Sequence, residues 1–361
     1  MNKPRLLLVG VTLPEIGGVS LTIEKMRHNR LLQEFADVHV CNPNPYRNTF
    51  VDKFLTRFLH YPYNSQASLV RVKASIKEVK PDIIHLFTSS NASFWTNSYL
   101  AEYFHRAGIP YLMNMRGGGF ANFYNGSTPG QRKKIVRSLL LADVILVQSQ
   151  EWEDFYRSLD RAIETAVLPN YVLMPEGASP EREKAVIFLG HLRKSKGVTD
   201  LLAVWSMNYR EIPDWSLWMV GPDKEGFEER YSEEELQNQR LVFHGLVIGS
   251  PKDDLLARSS IYVLPSEAEG LPNAMLEAMA HRVPVIVTPV GAVPGIVKHE
   301  KSGMVVQVGD RDQLQQALKK LIDSEQLRTS IGNAGFEVVQ SKHSEFVFTE
   351  KLTEVYRGIL R

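Results

Sequence analysis

The chain has 361 residues, 43% of them hydrophobic and 23% charged, and a net charge of +1; that is longer than one core usually grows, so two globular domains are expected. The single cysteine, Cys41, excludes an internal disulfide and any multi-cysteine metal site, and predicts a reducing, cytoplasmic setting. No run approaches the roughly 20 apolar residues of a membrane span, and the apolar block after "MNKPR" is too short for a signal peptide.

In chain order, "RLLLVGV" (5–11) reads as a strand buried on both faces, and "DVHVCN" (37–42), "DIIHLF" (82–87), "PYLMNM" (110–115) and "DVILVQS" (143–149) repeat the type. Segments of helical character separate them, among them "GVSLTIEKMRHNRLL" and "SLVRVKASIKEV". Then "PNYVLMPEGASPEREK", rich in Pro, Gly and charge, reads as a linker. The alternation resumes with strands in "AVIFLGH" (185–191), "SLWMVG" (216–221), "RLVFHG" (240–245), "IYVLPS" (261–266), "VPVIVTP" (283–289) and "GMVVQVG" (303–309). Apolar strands alternating with helices predict parallel sheets covered on both faces, hence two doubly wound α/β domains. Residues 1–170 would form the first and 171–343 the second. A helix is expected over 344–361, where Phe346, Leu352, Val355, Tyr356 and Ile359 follow a helical spacing and need a surface to cover. Ligands of such sheets bind beyond the carboxyl ends of the strands.

Three stretches at strand ends carry candidate chemistry. Gly17-Gly18 opens a helix, which makes either a plain turn or a set of amides facing an anion. In "FLGHLRKSKGV", His191, Arg193, Lys194 and Lys196 crowd one short loop, suited to a polyanion such as a diphosphate unless it is a solvated basic loop. In "SEAEGLPNAMLEAMA", Glu269 and Glu277 stand eight positions apart in a run otherwise apolar on every side. Such a helix expects burial, and a buried carboxylate needs a partner. Pro272 suits a first helical turn, and the free amides from Gly270 through Leu271 to Asn273 favour negative charge. Two carboxylates beside a phosphate-friendly helix start make sense if each accepts hydrogen bonds from hydroxyls. A ligand with phosphates in the middle and polyols at both ends fits: a nucleotide sugar.

With these residues the chain resembles the retaining glycosyltransferases of the GT-B fold, family 4, whose signature is the E-x7-E pair, here Glu269 and Glu277. Further blocks match in order: "GGVS", "PDIIHLF", "FLGHLRKSKGV", "WMVGP", "VFHGLV" and "SGMVVQVGD". The resemblance implies two domains facing a cleft, with the 344–361 helix returning to cover the first. It implies that Glu277 accepts the ribose hydroxyls of the donor, and that Glu269 holds hydroxyls of the transferred sugar. Lys196 neutralises the diphosphate, Gly18 belongs to the loop that closes on it, and Gly221 and Gly245 line the base pocket. Three positions depart from the family pattern. His191 stands where arginine is usual, so either Arg193 substitutes or help to the leaving group is weaker. Arg116, in "MRGGGF", replaces a histidine, so a phosphate or acceptor contact is expected there rather than a base. Gly295 replaces a glutamate, a loss expected to be mainly structural. His85 is an acceptor-side candidate, set against a satisfied core histidine, and Trp205, Trp215 and Trp218 are expected to pack.

The implied reaction is sugar transfer from a nucleoside diphosphate sugar to a hydroxyl with retention, in cell-surface polysaccharide or lipopolysaccharide synthesis. A silent donor-binding subunit and a nucleotide-sugar epimerase are the alternatives. No Asp-x-Asp metal motif occupies a donor position, so metal independence and no cofactor are expected. Residues 1–170 hold 20 Lys and Arg against 14 Asp and Glu, the remainder 22 against 27. That basic half, with "KFLTRFLHYPY" (53–63) and "QRKKIVR" (131–137), suits a glycan or lipid-linked acceptor and an anionic membrane surface at the inner face of the membrane. No basic run has the form of a nucleic-acid motif, so nucleic acid is not expected.

Overall fold

The computed structural model describes residues 3–361 apart from 14, 16, 45–49, 117, 176, 178 and 179, and residues 50–64 by their backbone only. The chain divides into two units: residues 1–169 with 348–361, and residues 170–347.

In the first unit the apolar runs pair as β1 (Arg5–Val9), β2 (Asp37–Cys41), β3 (Ile83–Thr88), β4 (Tyr111–Met115), β5 (Val144–Val147) and β6 (Thr165–Val167). They form one parallel sheet in the order β2-β1-β3-β4-β5-β6. Every residue of β3 and β4 is buried, as strands with helices on both faces require. Strand β6 is an addition to the sequence expectation. Three half-buried residues at the sheet edge are too short to leave an apolar run.

The second unit repeats the plan with β7 (Ala185–Leu189), β8 (Ser216–Val220), β9 (Leu241–Gly245), β10 (Ile261–Leu264), β11 (Val285–Val287) and β12 (Met304–Val305), in the order β12-β11-β10-β7-β8-β9. All its pairs are parallel. Trp205, Trp215 and Trp218 are buried in its core, and the Trp205 indole donates to the Gln239 carbonyl at 2.8 Å. Burying side chains of this size contributes roughly 1.5–3 kcal/mol each. Two apolar α/β sheets are thus the fold class.

The last helix, Glu345–Ile359, buries Phe348, Thr349, Leu352, Thr353 and Tyr356. Asn29 donates to Thr349 at 2.7 Å, and Tyr356 stacks on Phe35 and reaches His85, all in the first unit. Phe346 departs from the expected face: it is 59% exposed, because the buried stripe starts two residues later. No helix among the described residues is long and apolar enough to cross a membrane.

Candidate functional site

The strand order of the second sheet reverses between β7 and β10, and ligands of doubly wound sheets bind beyond the carboxyl ends of the strands at such a switch point. The loop after β7 carries His191, Arg193 and Lys196, and the loop after β10 carries Ser266 and Glu269. A hydrogen bond from the Glu267 N–H to the Ser195 carbonyl, 2.9 Å, stitches the two loops together. Gly197, at φ +73°, makes that approach feasible, since a Cβ there would collide with the Pro265 carbonyl.

The helix Asn273–Ala280 follows, with Met275, Leu276, Ala278, Met279 and Ala280 buried. Pro272 caps it from the position before the first turn rather than within that turn. Only Asn273, Ala274 and Glu277 keep partial exposure, so Glu277 lies on the one stripe open to a ligand. The side chain of Leu271 is buried, and its carbonyl accepts from Asn170 at 3.0 Å. The N–H groups of Gly270 and Leu271 make no hydrogen bond among the described residues, which leaves them available as donors.

Each carboxylate of the spaced pair is held by a lysine. Lys196 Nζ lies 2.6 Å from Glu269 Oε1, with the two side chains 28% and 11% exposed. Ser266 Oγ donates to the same oxygen at 2.8 Å. Lys252 Nζ, from the helix Ser250–Arg258, lies 2.8 Å from Glu277 Oε2, the side chains 19% and 15% exposed. Tyr262 on β10 is fully buried, and its hydroxyl has no partner among the described residues. Burial pushes that phenol well up, and the charges of Glu269 and Glu277 push it further. The site is therefore two ion pairs at a sheet's switch point, above a buried hydroxyl.

His191 is held below the usual imidazole range by burial, and by the charges of Arg193, Lys224 and Lys196. It is neutral at pH 7, and its Nδ1 is buried with no hydrogen-bond partner among the described residues. Arg193 is exposed and supplies the fixed charge of that loop. Gly190, Gly221 and Gly245 end the adjacent strands β7, β8 and β9, and the Gly221 N–H donates to the Gly245 carbonyl at 2.7 Å. Gly291, at φ +56°, lies against the Glu269 and Gly270 carbonyls, and the next N–H, of Ala292, bonds the Gly270 carbonyl at 2.8 Å. This loop buttresses Glu269 from below. Gly295 sits in the short helix Val293–Ile296 with open space where a side chain would be, so its backbone does not require a glycine.

In the first unit, Gly17 caps the helix Gly18–Arg27 in extended backbone, and a Cβ at Gly17 or Gly18 would meet nothing within 4 Å. Neither packing nor strain in the structure requires a glycine at these two positions. Arg116 follows β4, is 8% exposed and lies over the Phe87 ring at 5.9 Å. His85 is fully buried with both ring nitrogens engaged. The Asn114 amide donates to Nε2 at 2.8 Å, and Nδ1 lies 2.6 Å from the Tyr356 hydroxyl. Burial, then the charge of Arg116, holds it well below the usual imidazole range. The expected acceptor-side role of His85 is thus corrected: its hydrogen-bonding groups face the core and none is offered to a ligand. On the helix Pro129–Leu139, Lys133, Lys134 and Arg137 are exposed, whereas Arg132 turns inward onto the Tyr124 and Ser127 carbonyls. The side chains of the basic-aromatic stretch 53–63 lie outside the described residues. Among the described residues no group of three or more His, Cys, Asp or Glu is placed to hold a metal ion.

Sequence reasoning missed Lys252, Ser266, Tyr262 and Gly291. Ser266 is legible in hindsight as the S-x-x-E spacing of "SEAE", which brings a hydroxyl back to a carboxylate. Lys252 carries no such mark, since its partner is on the helix after the next strand.

Residues 172–338 match the model of the family described as glycosyl transferases group 1. An uncharacterized glycosyltransferase of Haemophilus influenzae is 30% identical over 201 residues, 53% of each chain. The capsular polysaccharide biosynthesis glycosyltransferase CapM of Staphylococcus aureus is 29% identical over 48% of this chain and 46% of its own. The chain spans about half the length of these curated relatives. Among solved structures, Anabaena HepE in complex with UDP superposes with a TM-score of 0.71 at 16% identity, covering 98% of this chain and 100% of that one. That likeness extends the GT-B fold over both units. The chain thus has the GT-B fold, and its second unit, the part that holds Lys196, Glu269 and Glu277, matches the glycosyl transferases group 1 model over residues 172–338.

Proposed function

We propose that the chain is a retaining glycosyltransferase that moves a sugar from a nucleoside diphosphate sugar to a hydroxyl. One observation carries the proposal: at the switch point, two carboxylates eight residues apart are each countered by a lysine. A ligand that presents phosphates to lysines and diols to carboxylates replaces both ion pairs without stranding a charge. A nucleoside diphosphate sugar has that pattern, with ribose at one end of the diphosphate and the transferred sugar at the other. The UDP complex of HepE and the capsular role named for CapM support the donor class and a cell-surface polysaccharide or lipopolysaccharide product.

In the proposed reaction the bond from the anomeric carbon to the diphosphate oxygen breaks. The acceptor oxygen bonds to that carbon from the same face, and its proton passes to the departing diphosphate. The chain's contribution is electrostatic. Lys196 exchanges Glu269 for the diphosphate, and Arg193 with the free amides of Gly270 and Leu271 adds to the field that favours charge on the leaving oxygen. Released from Lys196, Glu269 accepts hydroxyls of the sugar, while Glu277 accepts those of the ribose. These groups meet the leaving charge without a metal. Arg116 and the Gly17-Gly18 helix start are the first unit's contacts to donor phosphate or acceptor. The acceptor is a glycan or a lipid-linked glycan, with the exposed Lys133, Lys134 and Arg137 meeting an anionic membrane surface.

The test is incubation of the purified protein with radiolabelled UDP- and GDP-sugars and a membrane extract. Label passing to a larger product, with the donor's anomeric configuration kept by NMR, is the expected result. Conversion to an epimer, inversion of configuration, or no turnover across the donor panel overturns the proposal.

A further inference from the structure

Asn170 lies in the stretch "PNYVLMPEGASPEREK" that reads as a linker, and it is the first residue of the second unit. Its side chain is buried, and Nδ2 donates to the Leu271 carbonyl at 3.0 Å, 101 residues away in the chain. The helix Asn273–Ala280 makes its first backbone bond one residue later, from the Leu276 N–H to the Pro272 carbonyl at 3.3 Å. Among the described residues the Leu271 carbonyl is thus left to Asn170. Asn170 is itself held: its backbone carbonyl accepts from His343 Nδ1 at 2.9 Å, and the His343 carbonyl accepts from the Val172 N–H at 2.9 Å. A carbonyl only accepts, so the buried His343 carries a proton on Nδ1. One residue before Leu271, the Gly270 carbonyl accepts from the Ala292 N–H at 2.8 Å.

We infer that Asn170 is a positioning residue: it sets the backbone of Leu271 so that the Leu271 N–H is preset for charge on the departing diphosphate. The inference rests on the leaving-group role proposed for that amide. A peptide unit is planar and trans, so fixing its carbonyl fixes the N–H on its other side. The Gly270 carbonyl, tied to Ala292, sets the Leu271 N–H, and the Leu271 carbonyl, tied to Asn170, sets the next plane. Leu271 is thereby restrained at both backbone torsions, with its side chain buried. Donors fixed before the reaction stabilise the charge without reorganising as it forms. Freed from Asn170, the Leu271 backbone has to be ordered as the charge grows. That cost falls on the transition state rather than on the bound nucleotide.

The test compares wild type with Asn170→Ala, Asn170→Ser and Asn170→Gln in two measurements on the full chain. One is single-turnover transfer from radiolabelled UDP- and GDP-sugars to the membrane extract, and the other is calorimetric titration with bare UDP and GDP. Misaligned catalytic donors cost on the order of 10- to 100-fold. The transfer rate of Asn170→Ala should fall by about that factor, while nucleotide affinity stays within about threefold. Asn170→Ser, a milder change, should show the same split, and Asn170→Gln, which keeps the amide, should recover part of the rate. Thermal melts show which variants fold. An asparagine that only braces the fold would lower the melting temperature and leave the rate unchanged. An unchanged rate, or an affinity that falls by the same factor as the rate, overturns the inference and leaves the donor proposal standing. Hydrogen exchange on wild type needs no variant: whichever nucleotide binds should slow exchange of the peptide that carries Leu271, and no slowing overturns the inference. Wild type that transfers no label and binds neither nucleotide overturns the donor proposal as well.

Discussion

Removing Lys196 should produce two effects that the double variant with Glu269 separates. In the structure the Lys196–Glu269 contact is 2.6 Å, and the side chains are 28% and 11% exposed. Exposed pairs contribute roughly 0–1 kcal/mol, while hydrogen bonds to charged groups contribute about 1.5–3 kcal/mol. This half-buried pair falls between, at about 1–2 kcal/mol. Lys196→Ala leaves Glu269 with Ser266 as its remaining side-chain donor among the described contacts, and should lower unfolding free energy by about that amount. Glu269→Gln on the Lys196→Ala background should recover most of the loss, because no uncompensated carboxylate is left. Catalysis should behave differently. If Lys196 meets charge that grows on the departing diphosphate, its loss should cut kcat by about 100- to 1,000-fold, and the second substitution should not rescue it. Urea unfolding followed by fluorescence gives the first quantity, and single-turnover transfer of a labelled sugar gives the second. A kcat in Lys196→Ala within about threefold of wild type would refute the reasoning: the pair would then be structural, and the leaving charge would fall to Arg193.

Glu277→Ala should weaken a bare nucleoside diphosphate and the whole donor alike, by about 1.5–3 kcal/mol, whereas Glu269→Gln should weaken only the sugar nucleotide; calorimetry that shows the reverse pattern exchanges the two roles. His85 is buried neutral, its folded pKa held well below the ordinary 6.5 by burial, so the unfolded chain takes up its proton first. The stability that neutral His85 retains is complete above about pH 6.5 and falls on acidification by up to about 1.4 kcal/mol per pH unit. His191, His244 and His281 are shifted the same way, so His85→Gln should reduce the acid slope between pH 6.5 and 5 rather than abolish it, and an unaltered slope removes His85 from the account. Replacing Lys133, Lys134 and Arg137 by Glu should abolish flotation with anionic vesicles, at about 1 kcal/mol per cation lost; wild type that stays unbound at low salt makes a free glycan the better acceptor.

Most of the architecture was legible in the chain because a strand covered on both faces must be apolar at every position, and Leu6 to Val9 or Ile83 to Leu86 announce that locally. The turn residues and the eight-residue spacing of Glu269 and Glu277 were equally local, since the loop after β10 and the helix Asn273–Ala280 that carry the pair follow each other directly in the chain. Strand β6 escaped, because at a sheet edge three half-buried residues need no apolar run. The exposure of Phe346 escaped too: helical spacing marks several stripes, and the surface that covers one of them lies elsewhere in the chain. The partners of the polar groups were beyond sequence reasoning for the same cause. Lys196 meets Glu269 across 73 residues, and His85 meets Tyr356 across 271. Lys252 closes on Glu277 only after two helices have packed side by side. A hydrogen bond is set by distance and direction in space, and the order of strands β12-β11-β10-β7-β8-β9, which no local pattern encodes, is what brings those distances within reach.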